Sequence, residues 1–252
     1  MLKRLYDKSK ILFSVLWIVA YCVLMSAGDA LSALAGAEKS VTLPVAIALS
    51  VALAVFLRRH SLLRKYGISK PQANPGSMLY YLPAVALVSA NLWFGVRINF
   101  GAAETVLYVL TMLLVGLLEE LVFRGLLFEA MREDSPAAAV VVSSLTFGIG
   151  HIINFLGGGA ELVPTLMQVV YATAAGFMFV MMYLRSGSLV GCILIHGVFN
   201  ALSAFGAEPT DLAAQILSSA LITLISGGYG AYLLLSMRGK CKEQLSKCRE
   251  NK

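Results

Sequence analysis

Long apolar segments are the feature that most constrains how this chain can fold. A transmembrane helix needs about 20 mostly apolar residues, and eight segments of the sequence meet that requirement. They are residues 11–35, 41–57, 78–96, 103–128, 137–156, 163–184, 188–205 and 212–237. Charged residues make up only 13% of the chain, whereas soluble domains carry about 25%. The sequence therefore predicts an all-α, polytopic membrane helical bundle that forms one domain over residues 1–252.

The basic residues predict the orientation of this bundle. With eight crossings, all but Lys39 and Arg97 of the 20 Lys and Arg residues lie on the side of the N-terminus. Because basic residues concentrate on the cytoplasmic side of membrane proteins, both termini are predicted to be cytoplasmic. The first segment also resembles a cleavable signal peptide, since small residues at 33–37 follow its apolar run. That run is long for a signal peptide, which favours a retained helix.

The net charge of +6 comes from the same basic residues that predict this orientation. Most of the excess lies in the predicted cytoplasmic segments, where basic side chains meet anionic lipid headgroups. No basic face is interleaved with aromatic residues, so the sequence argues against a nucleic-acid partner. The predicted partner is the lipid bilayer, and we expect a multi-pass protein of a cell membrane or another intracellular membrane.

Few ionisable residues lie inside the apolar segments, and these residues are the candidates for function. Each costs at least about 2.5 kcal/mol at membrane depth on insertion scales, so a functional reason for its presence is expected. They are Asp29, Glu119, Glu120, Arg124, His151 and His196. Glu120 and Arg124 are four residues apart and can pair on one helix face. Asp29 lies late in its segment and is assigned no role.

Three short motifs lie in order on three separate apolar segments. They are Glu119-Glu120-x-x-x-Arg124, Phe147-x-x-x-His151 and His196-x-x-x-Asn200. Together they resemble the CAAX protease and bacteriocin-processing family, the intramembrane endopeptidases that include the Ras-converting CAAX prenyl endopeptidases. The resemblance covers residues 103–205, which correspond to the four-helix catalytic core of that family. It implies hydrolysis of a peptide bond in a membrane-associated protein or peptide, with prenylated CAAX-type proteins among the candidates.

The residues of the motifs suit peptide hydrolysis, which needs an activated water, a stabilised oxyanion and a proton for the leaving amine. Glu119 is the natural general base, and His151 can share the proton of the water or bind a metal. His196 and Asn200 can bind the oxyanion or the scissile carbonyl. The resemblance implies the same four catalytic residues.

Three further residues are expected to support the site. The resemblance implies that Glu120 and Arg124 form an ion pair, and Phe147 is expected to pack against His151. Each of these contacts also has a purely structural explanation. Glu119 has no such structural explanation, because it is an additional carboxylate beside one that is already paired.

A metal is compatible with the predicted site and is not required by it. Two histidines and a carboxylate are the ligands of several catalytic zinc sites, so Glu119, His151 and His196 are tentative ligands of a divalent metal, zinc above all. The sequence has no H-E-x-x-H helix. A metal-free mechanism centred on Glu119 would use the same residues, and both alternatives stay open.

The depth of the candidate residues predicts the side from which the site is reached. Glu119 and His196 each lie roughly 12–14 Å from the predicted cytoplasmic ends of their segments, at a rise of about 1.5 Å per residue. His151 lies deeper, at roughly 20 Å by the same rise. Two of three groups therefore favour a site that is accessible from the cytoplasmic side, as the prenyl-endopeptidase resemblance also implies.

Two other functions are compatible with these residues. The first is a non-catalytic scaffold or bacteriocin-immunity protein that keeps the fold of the family. The second is a proton-coupled carrier in which Glu119, His151 and His196 form a relay. Carriers favour internal repeats and paired broken helices, and the sequence shows neither. The intramembrane endopeptidase is the leading hypothesis.

Overall fold

The computed structural model describes residues 2–69, 81–158, 160–209 and 211–250, with side chains up to Met237. Eleven α-helices follow one another in the described part: α1 Leu2–Lys8, α2 Lys10–Leu34, α3 Thr42–Arg59, α4 Leu82–Val88, α5 Ala102–Glu119, α6 Glu129–Arg132, α7 Pro136–Gly150, α8 Ile152–Leu156, α9 Leu162–Ser186, α10 Val190–Leu202 and α11 Leu212–Glu250. Two 3₁₀ turns, Ser89–Leu92 and Ser203–Phe205, and a π-helix, Glu120–Phe128, complete the helical structure. The predicted all-α architecture is confirmed.

Six of the described helical segments are long and apolar enough to cross a membrane. They are Lys10–Leu34, Thr42–Arg59, Ala102–Arg132, Pro136–Leu156, Leu162–Ser186 and Leu212–Met237. The third and seventh predicted segments instead form shorter apolar helices, Leu82–Leu92 and Val190–Phe205. At about 1.5 Å per residue such helices fall short of a hydrocarbon core about 30 Å thick. The count of eight is therefore not confirmed, and the predicted start of the third segment at residue 78 lies outside the described residues.

The outer faces of the long helices carry apolar side chains. Val23 on α2, Leu110 on α5, Leu166 on α9 and Leu224 on α11 are all exposed on the surface of the isolated chain. A soluble monomer rarely leaves apolar patches of this extent in contact with water. The chain is a multi-pass membrane protein, and these faces are suited to lipid.

One end of the bundle gathers segments that are rich in basic residues. Lys10 at the start of α2 and Lys65 after α3 each lie near Glu133, at 3.6 and 3.7 Å. The Tyr66 hydroxyl also donates to the Tyr6 hydroxyl at 2.7 Å. We call this the basic end of the bundle. The side of the membrane that it faces stays a prediction.

The opposite end contains the connection between α2 and α3, and we call it the α2–α3 end. There the backbone N–H of Glu38 donates to the Glu104 carboxylate at the start of α5, at 3.0 Å. The backbone N–H of Asn99 donates to the Ala204 carbonyl after α10 at 3.1 Å. These contacts place the start of α5 and the end of α10 beside the α2–α3 connection.

Helices α5 and α10 approach each other closely at two glycines. A Cβ atom at Gly116 would lie 2.6 Å from the Gly197 Cα, and one at Gly197 would lie 3.3 Å from the Leu113 Cα. Real side chains do not tolerate the first distance, so glycine at residue 116 sets the spacing of the two helices. This spacing brings the end of α5 to His196, the residue before Gly197.

Substitution of Gly116 tests whether this close approach holds the bundle together. We expect Gly116→Ala to lower the free energy of unfolding by about 1–3 kcal/mol, because overpacking forces the two backbones apart. The matched control is Gly228→Ala on α11, where a Cβ meets open space and alanine favours the helix by about 1 kcal/mol. Thermal unfolding in detergent compares the two variants. Equal midpoints would contradict the proposed role of Gly116.

Candidate active site

The first motif lies where a regular helix widens. Glu119 is the last residue of α5, and Glu120 and Arg124 belong to the π-helix that continues it. The four-residue spacing of the motif predicts a regular α-helix here, so the wider turn differs from the expectation. Such π-helical turns are frequent at functional sites. Glu120 and Arg124 nevertheless pair across four residues, with 3.1 Å between the Glu120 Oε1 and the Arg124 Nη1.

The ion pair of Glu120 and Arg124 is fully enclosed by the protein. Both side chains have 0% exposure, and the Arg124 guanidinium lies over the Phe147 ring at 4.1 Å. His196 adds a further contact, with its Nδ1 2.9 Å from the Glu120 Oε1. A buried charge is costly unless it is paired, and these contacts offset part of that cost. Within the described part of the chain, the Glu120 Oε2 and the guanidinium nitrogens of Arg124 have no hydrogen-bond partner. The contacts connect the motifs of three different helices.

Glu119 has two partners, and both of its carboxylate oxygens are used. The Tyr21 hydroxyl donates to the Glu119 Oε1 at 2.7 Å. The His196 Nε2 lies 3.4 Å from the Glu119 Oε2. Tyr21 lies on α2, and the sequence analysis missed it. An aromatic residue in an apolar segment gives no signal of such a contact, and the two residues are 98 positions apart.

His196 lies between two carboxylates, and its hydrogen bond to Glu120 fixes the position of the ring proton. An ionised carboxylate only accepts hydrogen bonds, and a neutral imidazole offers a single N–H donor. The His196 Nδ1 hydrogen-bonds to the Glu120 Oε1 at 2.9 Å, whereas the Nε2 lies 3.4 Å from the Glu119 Oε2. In a neutral His196 the Nδ1 therefore carries the proton, and the Nε2 lone pair faces Glu119.

Aromatic rings hold both histidines in place. The Phe147 ring contacts His151 and His196 edge-to-face, with centroids at 5.2 and 5.6 Å. The Phe179 ring stacks on the His196 ring, with the centroids 5.4 Å apart. Phe147 thus packs against His151, as expected from the sequence. The same ring also contacts the Arg124 guanidinium. Phe179 is a further residue that the sequence analysis did not single out.

His151 lies at the break between α7 and α8. Its Nδ1 is 3.0 Å from the Phe147 carbonyl oxygen. A carbonyl only accepts, so the Nδ1 carries the proton in this contact and the Nε2 has a free lone pair. A neutral His151 can therefore accept a hydrogen bond from a water or a substrate through its Nε2.

A cavity of about 410 Å³ joins the predicted catalytic residues. Glu119, His151 and Asn200 all line it, together with Tyr21. His196 lines a smaller, adjoining cavity instead. His151 and Asn200 also border this second cavity. Within the described part of the chain the Asn200 side-chain amide has no hydrogen-bond partner. It is therefore available to a bound peptide.

The tentative metal ligands do not form a metal-binding group in this arrangement. Over residues 2–69, 81–158, 160–209 and 211–250, no three His, Cys, Asp or Glu side chains lie close enough to hold an ion. Glu119 and His196 contact each other, but His151 does not join them in a group of three. The described residues therefore do not form the zinc site that the sequence suggested, and we derive no step through a metal.

A model of a known protein family matches the part of the chain that contains the three motifs. Residues 101–202 match the family model described as Type II CAAX prenyl endopeptidase Rce1-like. Comparisons with curated proteins and with solved structures give no significant match. The matched range contains all three motifs, whereas Tyr21 lies before it. The family resemblance that the three motifs carry is therefore confirmed for residues 101–202, which match this family model.

Proposed function

We propose that this chain is an intramembrane endopeptidase that hydrolyses a peptide bond in a membrane-associated protein or peptide, with a water activated by Glu119. The contact between the Glu119 Oε2 and the His196 Nε2 carries the proposal. It couples a carboxylate that borders a cavity to a group that can take up or return one proton. The family match supports this reaction class.

The first half of the reaction needs a base and a fixed water. Glu119 accepts the proton of a water in the large cavity while the water oxygen attacks the carbonyl carbon of the substrate. Tyr21 keeps the carboxylate in place through its hydrogen bond to the Oε1. The Nε2 of His151 accepts the second hydrogen of the water and orients it. His196 shares the proton that Glu119 has gained.

The second half of the reaction needs an anion site and an acid. The side-chain amide of Asn200 donates to the oxyanion that develops as water adds to the carbonyl. The proton shared by Glu119 and His196 then moves to the leaving nitrogen, and the carbon–nitrogen bond breaks. The first products are a carboxylic acid and an amine, and Glu119 is ionised again. The acid then gives its proton to the amine, which yields a carboxylate and an ammonium group.

Substitution of Glu119 tests the role of the base. We expect Glu119→Gln to lower kcat by at least about 10²–10⁴-fold, because the amide cannot accept the proton of the water. The matched control is Glu161→Gln at an exposed carboxylate before α9, which we expect to leave kcat unchanged. The assay follows cleavage of prenylated CAAX peptides by the purified protein in liposomes. Equal unfolding midpoints confirm that both variants are folded.

The result for Glu119→Gln also separates the alternatives. Wild-type cleavage by this variant would contradict the proposed mechanism. A cellular phenotype that persists in both Glu119→Gln and His196→Ala would favour the non-catalytic scaffold or immunity protein. Proton-coupled solute flux in proteoliposomes that is lost in His151→Ala would favour the carrier.

We further propose that substrate enters from the side of the membrane opposite the basic end. The large cavity is lined by residues of the α2–α3 end, namely Asp29, Lys39, Asn154 and Ser203, whereas the buried pair of Glu120 and Arg124 lies between Glu119 and the basic end. If the basic end is cytoplasmic, the cavity opens away from the cytoplasm. This differs from the cytoplasmic access that the depth of Glu119 and His196 suggested.

Thiol labelling determines the side of access. Cysteines are placed singly by Asn154→Cys, at the cavity, and by Ala137→Cys, at the exposed start of α7 near the basic end. The background carries serine at the four native cysteines. In intact cells, we expect a membrane-impermeant maleimide to label the first variant, and the second only after permeabilisation. The reverse pattern would show that the cavity opens to the cytoplasm.

A further inference from the structure

A separate cavity lies at the basic end of the bundle, away from the proposed active site. Its volume is about 320 Å³. It is lined by Arg64 and Lys65 after α3, by Glu129 and Arg132 of α6, and by residues 183–187 at the end of α9. None of these residues borders either cavity of the proposed active site. We call this cavity the basic pocket, and no step of the proposed reaction uses it.

Basic side chains outnumber acidic ones in the basic pocket. Among the described residues, its lining contains one carboxylate, Glu129, and four basic side chains, Arg64, Lys65, Arg132 and Arg185. The Arg132 Nη1 donates to the Glu129 Oε1 at 2.7 Å. Lys65 lies 3.7 Å from Glu133, which is exposed and does not line the pocket. These two carboxylates leave an excess of two positive charges among the described residues, so the pocket is suited to an anion.

Two glycines fix the backbone around the basic pocket. Gly67 has a φ of +75°, and a Cβ atom there would lie 2.7 Å from the Tyr183 Cε2. The segment after α3 therefore packs directly on the end of α9. Gly187 has a φ of +66° and ends α9, where its N–H donates to the Tyr183 carbonyl at 2.8 Å. Arg64 and Lys65 are thus held beside the end of α9 rather than on a free loop.

Two segments that are long enough to cross a membrane end at the basic pocket. They are Ala102–Arg132 and Leu162–Ser186, so Arg132 and Arg185 lie within the last turn of each. The ends of such segments lie at the level of the lipid headgroups. The Arg185 Nη1 also donates to the Ser236 Oγ of α11 at 3.1 Å. The cations of the pocket are therefore placed where the phosphates of a bilayer lie.

We propose that the basic pocket binds the phosphate group of an anionic phospholipid. The N–H groups of Arg and Lys donate charge-assisted hydrogen bonds to phosphate oxygens. Basic pockets at the ends of transmembrane helices recognise anionic headgroups in this way, and the volume of this pocket accommodates a phosphate group together with water. The choline of a zwitterionic headgroup would instead be repelled by the same cations. This inference goes beyond the proposed hydrolysis and does not depend on it.

Lipid binding to the purified full-length protein in detergent tests the proposal. Native mass spectrometry gives the affinity for phosphatidylglycerol and for phosphatidylcholine with the same acyl chains. We expect the wild type to prefer phosphatidylglycerol by at least about tenfold, the effect of one additional hydrogen bond between charged groups. We expect Arg64→Gln/Lys65→Gln to abolish this preference, because it removes two exposed cations of the pocket.

Two further variants separate the pocket from general electrostatics. Arg58→Gln/Arg59→Gln is the matched control, since it removes two exposed charges at the end of α3 that do not line the pocket. We expect this control to keep the lipid preference. Glu129→Gln removes the carboxylate of the pocket, so we expect the affinity for phosphatidylglycerol to rise about fivefold, the effect of one surface charge. Damage to the fold would lower the affinity in both pocket variants and cannot produce this rise.

Thermal unfolding identifies the source of the phosphate. A ligand that binds the folded protein raises the unfolding midpoint. We expect phosphatidylglycerol to raise it and inorganic phosphate at the same concentration to leave it unchanged. Equal protection by inorganic phosphate would overturn the lipid as the ligand. Equal affinities for the two lipids, or an equal loss of preference in the two double variants, would overturn the pocket, and neither result bears on hydrolysis by Glu119.

Discussion

The imidazole of His196 lies between the carboxylates of Glu119 and Glu120, and this contact connects the fold to the chemistry. Glu120 is paired with Arg124 in the buried interior, and the His196 Nε2 faces Glu119 at 3.4 Å. The close approach of α5 and α10 at Gly116 and Gly197 brings these groups together. In the proposed mechanism, a helix packing distance thus determines where the proton taken from the water is held.

Much of this arrangement could be predicted from the sequence, because its signals are local. Runs of apolar residues identified the long helices, and the spacing of four identified the pair of Glu120 and Arg124. The lengths of α4 and α10 were not predictable in the same way. Hydrophobicity shows that a segment avoids water, but it does not distinguish a full crossing from a shorter helix buried among its neighbours.

The remaining features depend on contacts between distant segments. Tyr21 reaches Glu119 across 98 positions, and in the sequence it is one aromatic residue among many apolar ones. The tentative metal ligands show the same limit. The family resemblance implied that Glu119, His151 and His196 share a site, but the sequence did not show that Glu119 and His196 contact each other while His151 stays outside their group. Residue types limit the chemistry, whereas tertiary contacts decide which groups meet.

A double-mutant cycle between Glu119 and His196 tests the central claim most directly. Single-turnover rates are measured for the wild type, Glu119→Gln, His196→Gln and the double variant, with one prenylated CAAX peptide at saturating enzyme. Residues that act as one unit show non-additive losses. If the two side chains share one proton, the double variant is no slower than the slower single variant. Losses that multiply would show that the residues act independently and would contradict the account.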